Sequence, residues 1–100
     1  MEKETFAPHL KTEFRVRVGD SETLPLTLVE VSDLERTPGK EPRRGKKGFS
    51  LVFTGARTFF LPQQMYILEH DVMGRFDLFL VPVHPEDGEH FYYEAIFNFL

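Results

Sequence analysis

MYILEHDVMGRFDLFLVPV, residues 65–83, carries two runs of aliphatic, β-branched and aromatic side chains around a short polar break. Such residues fill pleated, half-buried surfaces, so the stretch reads as a β-hairpin. A five-residue turn, Asp71-Val72-Met73-Gly74-Arg75, sets His70 opposite Phe76, Leu68 opposite Leu78 and Tyr66 opposite Leu80 on one face. The other face then pairs Met65 with Val81, Ile67 with Phe79 and Glu69 with Asp77. A slip of one residue would mix the faces, which favours this register. Both faces come out largely apolar, and both need cover.

Working outward, the chain has 100 residues and reads as one domain, 1–100, with a small core. Thr12–Val18 alternates cleanly, with Phe14, Val16 and Val18 inward and Glu13, Arg15 and Arg17 outward. Leu24–Val31 is a second strand, with Leu24, Leu26 and Leu28 in phase. Pro25 places its start at an edge or bulge, and the change of parity at Val29 and Val31 supports a bulge or a bend there. Phe49–Thr54 is a third strand, ended by a turn at Gly55-Ala56. Thr58–Leu61 is a short strand stopped by Pro62. Phe91–Leu100 is the last, with Phe91, Tyr93, Ala95, Phe97 and Phe99 on one face. Thr5–Leu10 makes one helical turn at most because Pro8 interrupts it, with Phe6 and Leu10 pinning it to the core. The expected fold is all-β: a small antiparallel sandwich or partly open barrel of about seven short strands.

The absence of cysteine excludes a disulfide framework, a thiolate metal site and a cysteine nucleophile together. Residues 35–48, ERTPGKEPRRGKKG, have no apolar side chain and carry +4, against −4 for the whole chain, so the remainder carries −8. This is an acidic body with one basic loop, read as mobile. Arg43, Arg44, Lys46 and Lys47 form its possible polar contact surface. Gly45-Lys46-Lys47-Gly48 matches the GXXG loop of KH domains, but the FSLVF strand follows it directly where that motif needs a helix. No aromatic side chain in the loop can stack a base, so nucleic acid is disfavoured as a partner. The N-terminus lacks a signal-peptide run, and Leu78–Val83 is too short to span a bilayer. The expected location is the cytoplasm, with no membrane contact.

His84, Glu86, Asp87, Glu89 and His90 crowd one loop, but their spacing matches neither an EF-hand nor HExxH, so no metal is expected. Glu69 and Asp77 are the nearest approach to a carboxylate pair, and a structural pair salt-bridged by arginine is the better reading. An enzyme would have to bring these two together with His70, which reads more simply as a core-edge histidine bonding the turn. Ser21, Ser32 and Ser50 lack a nucleophile-elbow context, and no phosphate-binding glycine pattern occurs. No catalytic residue and no cofactor are assigned.

Several segments together resemble an uncharacterised family of small bacterial domains: FAPHL (6–10), Phe14 with Val16, FSLVFTG (49–55), YILEH (66–70), Gly74, LFLVPV (78–83) and YEAIFN (93–98). The resemblance runs over nearly the whole chain, although the basic stretch at 35–48 is longer than the family's connection. It implies an all-β domain without assigned activity, similar to proteins encoded beside phage tail-collar-like genes. The expected function is therefore a non-enzymatic structural or adaptor domain acting through protein–protein contacts, in the cytoplasm or within a phage-tail-like particle. Its contact residues would be Tyr92, Ile96, Phe79 and Ile67, toward a protein partner or a second copy of the chain. The alternative is a small ligand-binding β-barrel whose pocket uses Tyr66, His70 or Tyr93.

Overall fold

The computed structural model describes residues 2–34, 48–83 and 88–97. A one-turn helix α1 (Lys3–Phe6) runs into a 3-10 turn (Ala7–His9). Six strands follow: β1 (Glu13–Arg17), β2 (Thr23–Asp33), β3 (Phe49–Ala56), β4 (Gln64–His70), β5 (Gly74–Val83) and β6 (His90–Phe97). They form a closed antiparallel barrel in the order β1-β2-β3-β6-β5-β4. The barrel reading holds, with six strands among the described residues where about seven were expected, and with the ring closed.

The alternating patterns behave as their periods dictate. Phe14 and Val16 point fully inward from β1, and Leu26 and Leu28 do so from β2. The ladder between β2 and β3 pairs Leu28 with Phe53 and then Glu30 with Val52, so Val29 is the extra residue of a bulge. Pro25 pairs with Arg15 of β1, while pairing with β3 begins only at Thr27, so the proline lies in the part of β2 that has one neighbour. At the other end of β2 the Leu34 N–H donates to the Gly48 carbonyl at 3.1 Å, so β2 and β3 finish side by side. Residues 35–47, with Arg43, Arg44, Lys46 and Lys47, lie outside the described residues.

Three expectations are corrected. Residues 58–61 form no strand, and Gly55-Ala56 is no turn: β3 continues through both, pairing with Phe91 and His90 of β6. The reason is packing. A Cβ at Gly55 would come within 2.8 Å of Leu26 Cδ2 and 3.3 Å of Tyr93 Cε2, so the glycine lets two core side chains close over the strand. Leu10 does not pin the lead-in and is exposed, whereas Phe6 is fully buried. Its ring lies 5.7–6.1 Å from those of Phe49, Phe76 and Phe97 and plugs one end of the barrel.

The opening hairpin is correct in its faces and wrong in its register. β4 and β5 pair Leu68 with Phe76, Tyr66 with Leu78 and Gln64 with Leu80, two residues tighter than expected. The turn is Asp71-Val72-Met73, and Gly74 begins β5 at φ 84°, a left-handed conformation suited to glycine. Consequently Glu69 faces Arg75 and Ile67 faces Asp77, so no like-charge pair forms.

The interior is filled by side chains: Phe14, Leu28, Leu51, Phe53, Leu68, Leu80 and Tyr93 are each fully buried. A cleft beside Gly55 measures about 30 Å³, room for roughly one water. Gly55→Val is expected to destabilise the domain by about 1–3 kcal/mol through overpacking against Leu26 and Tyr93. Urea unfolding monitored by tyrosine fluorescence measures this, and an unchanged midpoint would refute the packing role.

Candidate interaction surface

Closure of the barrel buries one face of the β4–β5 hairpin and leaves the other outside. On that outer face Met65 pairs with Phe79, and Ile67 lies one step along the same side of β4. Met65 is 59% exposed, Phe79 45% and Ile67 39%. For side chains this apolar, in contact across two strands, such exposure marks a surface without cover. Two of the four expected contact residues, Ile67 and Phe79, thus sit on one patch. The other two lie on β6, where Tyr92 is half-buried opposite Val83 and Ile96 is exposed opposite Ser50.

The segment between β3 and β4 adds two residues that sequence reasoning did not assign to the surface, Phe59 and Phe60, both about half exposed. Neighbouring residues of this segment are anchored from within the barrel. The Leu61 N–H donates to the Tyr93 hydroxyl at 3.1 Å, and the Tyr66 hydroxyl donates to the Pro62 carbonyl at 2.5 Å. Burial raises both phenols above their ordinary range; Tyr93 adds to the rise at Tyr66, and the Leu61 bond opposes it at Tyr93. Leu61 is buried, while Phe60 packs edge-on to Phe91 with ring centroids 5.2 Å apart. A signal was available: adjacent phenylalanines before a proline cannot both point inward from a strand of period two. Together with Arg17, Val18, Gly19 and the start of β4, this segment walls an open groove of about 430 Å³.

Of the titratable residues that sequence reasoning weighed, Glu69 and His70 are engaged structurally. Glu69 receives Arg17 at 3.2 Å and Arg75 at 3.5 Å, while Arg15 pairs with Asp71 at 3.0 Å. Adjacent residues of a strand point to opposite faces, so His70 turns inward as Glu69 turns outward, and Asp77 is exposed on the neighbouring strand. No shared cleft brings the three together.

His70 instead ties the turn to the rest of the barrel. Its Nδ1 accepts the Val72 and Met73 N–H groups at 3.0 and 3.2 Å, which assigns the proton to Nε2. Nε2 donates to the Thr12 hydroxyl at 3.0 Å, and that hydroxyl donates to the His9 carbonyl at 2.6 Å. The ring lies 4.4 Å from that of Phe14 and 4.6 Å from that of His9. Burial and then His9 hold the imidazole below its ordinary value, with Arg15 adding to this and Asp71 opposing it. Among the described residues no group of three or more histidines and carboxylates comes together as a metal site. Of the crowded loop, His84, Glu86 and Asp87 lie outside the described residues.

A family model matches residues 1–97 of the chain. The chain belongs to the DUF6916 family, a domain of unknown function. No curated protein and no solved structure matches it. The family assignment therefore carries no reaction or ligand to this surface, and no helix among the described residues is long and apolar enough to cross a membrane.

The His70 network makes stability depend on pH in a defined direction. The unfolded chain binds the imidazole proton near its ordinary value of about 6.5, whereas folded His70 binds it only at lower pH. The stabilisation is complete above about pH 6.5 and is lost as pH falls through the folded value. His70→Asn, whose Oδ1 can replace Nδ1 as the acceptor in the turn, should fold and show a flatter stability–pH profile below about pH 6.5. Urea midpoints between about pH 5 and 8 measure this, and parallel wild-type and variant profiles would refute the assignment.

Proposed function

We propose that this domain is a non-enzymatic structural or adaptor module that acts through protein–protein contacts on the outer face of the β4–β5 hairpin. The observation that carries the reading is the exposed cross-strand cluster of Met65, Ile67 and Phe79, continued along the groove by Phe59 and Phe60. Contiguous apolar surface of this kind, rimmed by charged side chains such as Arg17 and Asp77, is the usual mark of a contact site. Tyr92 and Ile96 supply a second apolar area on β6. The chain's resemblance to proteins encoded beside phage tail-collar-like genes extends the proposal to a component of a phage-tail-like particle.

A ligand-binding barrel draws less support: the inward side chains that form the core of the described strands are buried, and the cleft beside Gly55 measures about 30 Å³. An enzymatic reading draws none from Glu69, whose Oε2 is held by Arg17 and Arg75, or from His70, both of whose ring nitrogens are hydrogen-bonded within the fold.

Phe79→Asp is expected to weaken self-association or partner capture at least about tenfold, with the folding midpoint changed little because the side chain lies outside the core. Sedimentation at high concentration and paired pull-downs with wild-type and variant baits measure this, with Ile96→Asp reporting on the β6 area. A strictly monomeric protein that captures nothing preferentially over both variants would refute the proposal.

A further inference from the structure

The seam that closes the barrel is shorter than either strand forming it. β1 and β4 pair only at Arg15 with Glu69 and Val16 with Leu68, although β4 begins at Gln64. β1 cannot follow it, because it ends at Arg17 and the chain turns toward β2, where the Val18 N–H donates to the Glu22 carbonyl at 3.0 Å. The groove lies in this opening, with Val18 and Gly19 on one side, Gln64–Ile67 on the other, and the Phe59–Pro62 segment completing the wall.

Antiparallel geometry sets the direction of the backbone there. Hydrogen-bonding groups alternate sides along a strand. Since Val18 turns to β2, Arg15 and Arg17 turn to β4; opposite Arg15, Glu69 turns to β1, and so by alternation do Ile67 and Met65. Gln64, Tyr66 and Leu68 turn to β5. Ile67 adjoins Arg17 at the end of the seam. Met65 has no strand beside it among the described residues, and none of their turn and loop backbone hydrogen bonds reaches it. Its N–H and C=O therefore face the groove.

We propose that this opening receives an extended peptide segment of a partner protein, which adds to the free edge of β4 as a short strand. The inference rests on the protein-contact reading above and names the chemistry of the partner. A strand edge is completed by another extended backbone, whose N–H and C=O groups come at matching intervals; a helix or an apolar small molecule offers no such row. The groove is bordered on both sides, by Val18–Gly19 and by Phe59–Pro62, which suits a single extended segment better than the broad sheet edge of a second copy. The open edge, Gln64–Ile67, spans about 13 Å and matches about four peptide residues. Alternate residues of the peptide lie along Met65, Ile67 and the two phenylalanines, so the preferred sequence is apolar at every second position. It needs no acidic anchor, because the Arg17 guanidinium is already held by Glu69 and by the Asp20 carbonyl.

Two measurements test this. In amide hydrogen exchange on the free protein, Met65 should exchange at least about 100-fold faster than its ladder neighbours Tyr66 and Leu68. Equal protection would mean that the edge is already satisfied and would overturn the proposal. A displayed library of random 12-residue peptides selected on the full chain should yield binders with apolar residues at alternate positions. Met65→Pro removes the outward N–H without touching the β5 ladder and should cost about tenfold in affinity, while Met65→Ser, which keeps it, should cost less. Circular dichroism checks that both variants fold; if Met65→Pro does not, peptides N-methylated at alternate positions give the same test from the ligand's side. Failure to recover binders, binders without alternation, or equal binding to Met65→Pro and wild type would overturn strand addition. The contact surface itself would still stand if Phe79→Asp abolished association, so the two readings fail separately.

Discussion

Two residue pairs close the barrel, and the rest of the structure depends on their holding. Arg15 with Glu69 and Val16 with Leu68 are all that joins β1 to β4 in the ladder. Each face of this short seam is reinforced. Inside, Val16 and Leu68 are fully buried, and His70 links Thr12 of the lead-in to the β4–β5 turn. Outside, Arg17 and Arg75 converge on Glu69 while Arg15 reaches Asp71. Exposed ion pairs contribute little singly, but here they bridge three elements beside a buried polar anchor. Leu68, Glu69 and His70, the LEH of the family-like pattern, are thus consecutive parts of one closure device: core residue, outer ion pair and turn clamp.

The same shortness generates the surface available for function. A longer β1 would continue the ladder past Ile67 and cover the start of β4. Instead the chain turns at Val18, and the uncovered edge is left beside Phe59, Phe60 and Met65. Tyr66 and Tyr93, both anchored in the core, fix the Phe59–Pro62 segment from below, so its aromatic rings are presented on a held backbone. Different faces of the same strand thus serve the core and the open surface: Tyr66, Leu68 and His70 turn into the barrel, while Met65 and Ile67 stay exposed beside the groove.

Much of this architecture is legible in the chain, and the failures share a cause. Period-two alternation identified the inward residues of β1, β2 and β3 and the bulge at Val29, because each inward position has to be apolar. The hairpin register escaped because a slip of two residues leaves every side chain on its original face, so hydrophobic pattern cannot tell the two pairings apart. Turn chemistry decided it, through an imidazole that accepts two backbone N–H groups and a glycine at positive φ. Gly55 escaped because a glycine required by close packing and one required by a turn look identical in sequence.

The sequence by itself determined an all-β domain, its inner and outer faces, and the surplus of apolar side chains on the β4–β5 hairpin. Those properties are local, set by alternation, turn residues and propensity. Only the tertiary structure decided that the sheet closes, that Glu69 meets two arginines rather than Asp77, and that Phe59 and Phe60 join Met65 along an open seam. These outcomes depend on where strands distant in the chain begin and end relative to one another. That is a property of long-range packing, which no window of the sequence contains.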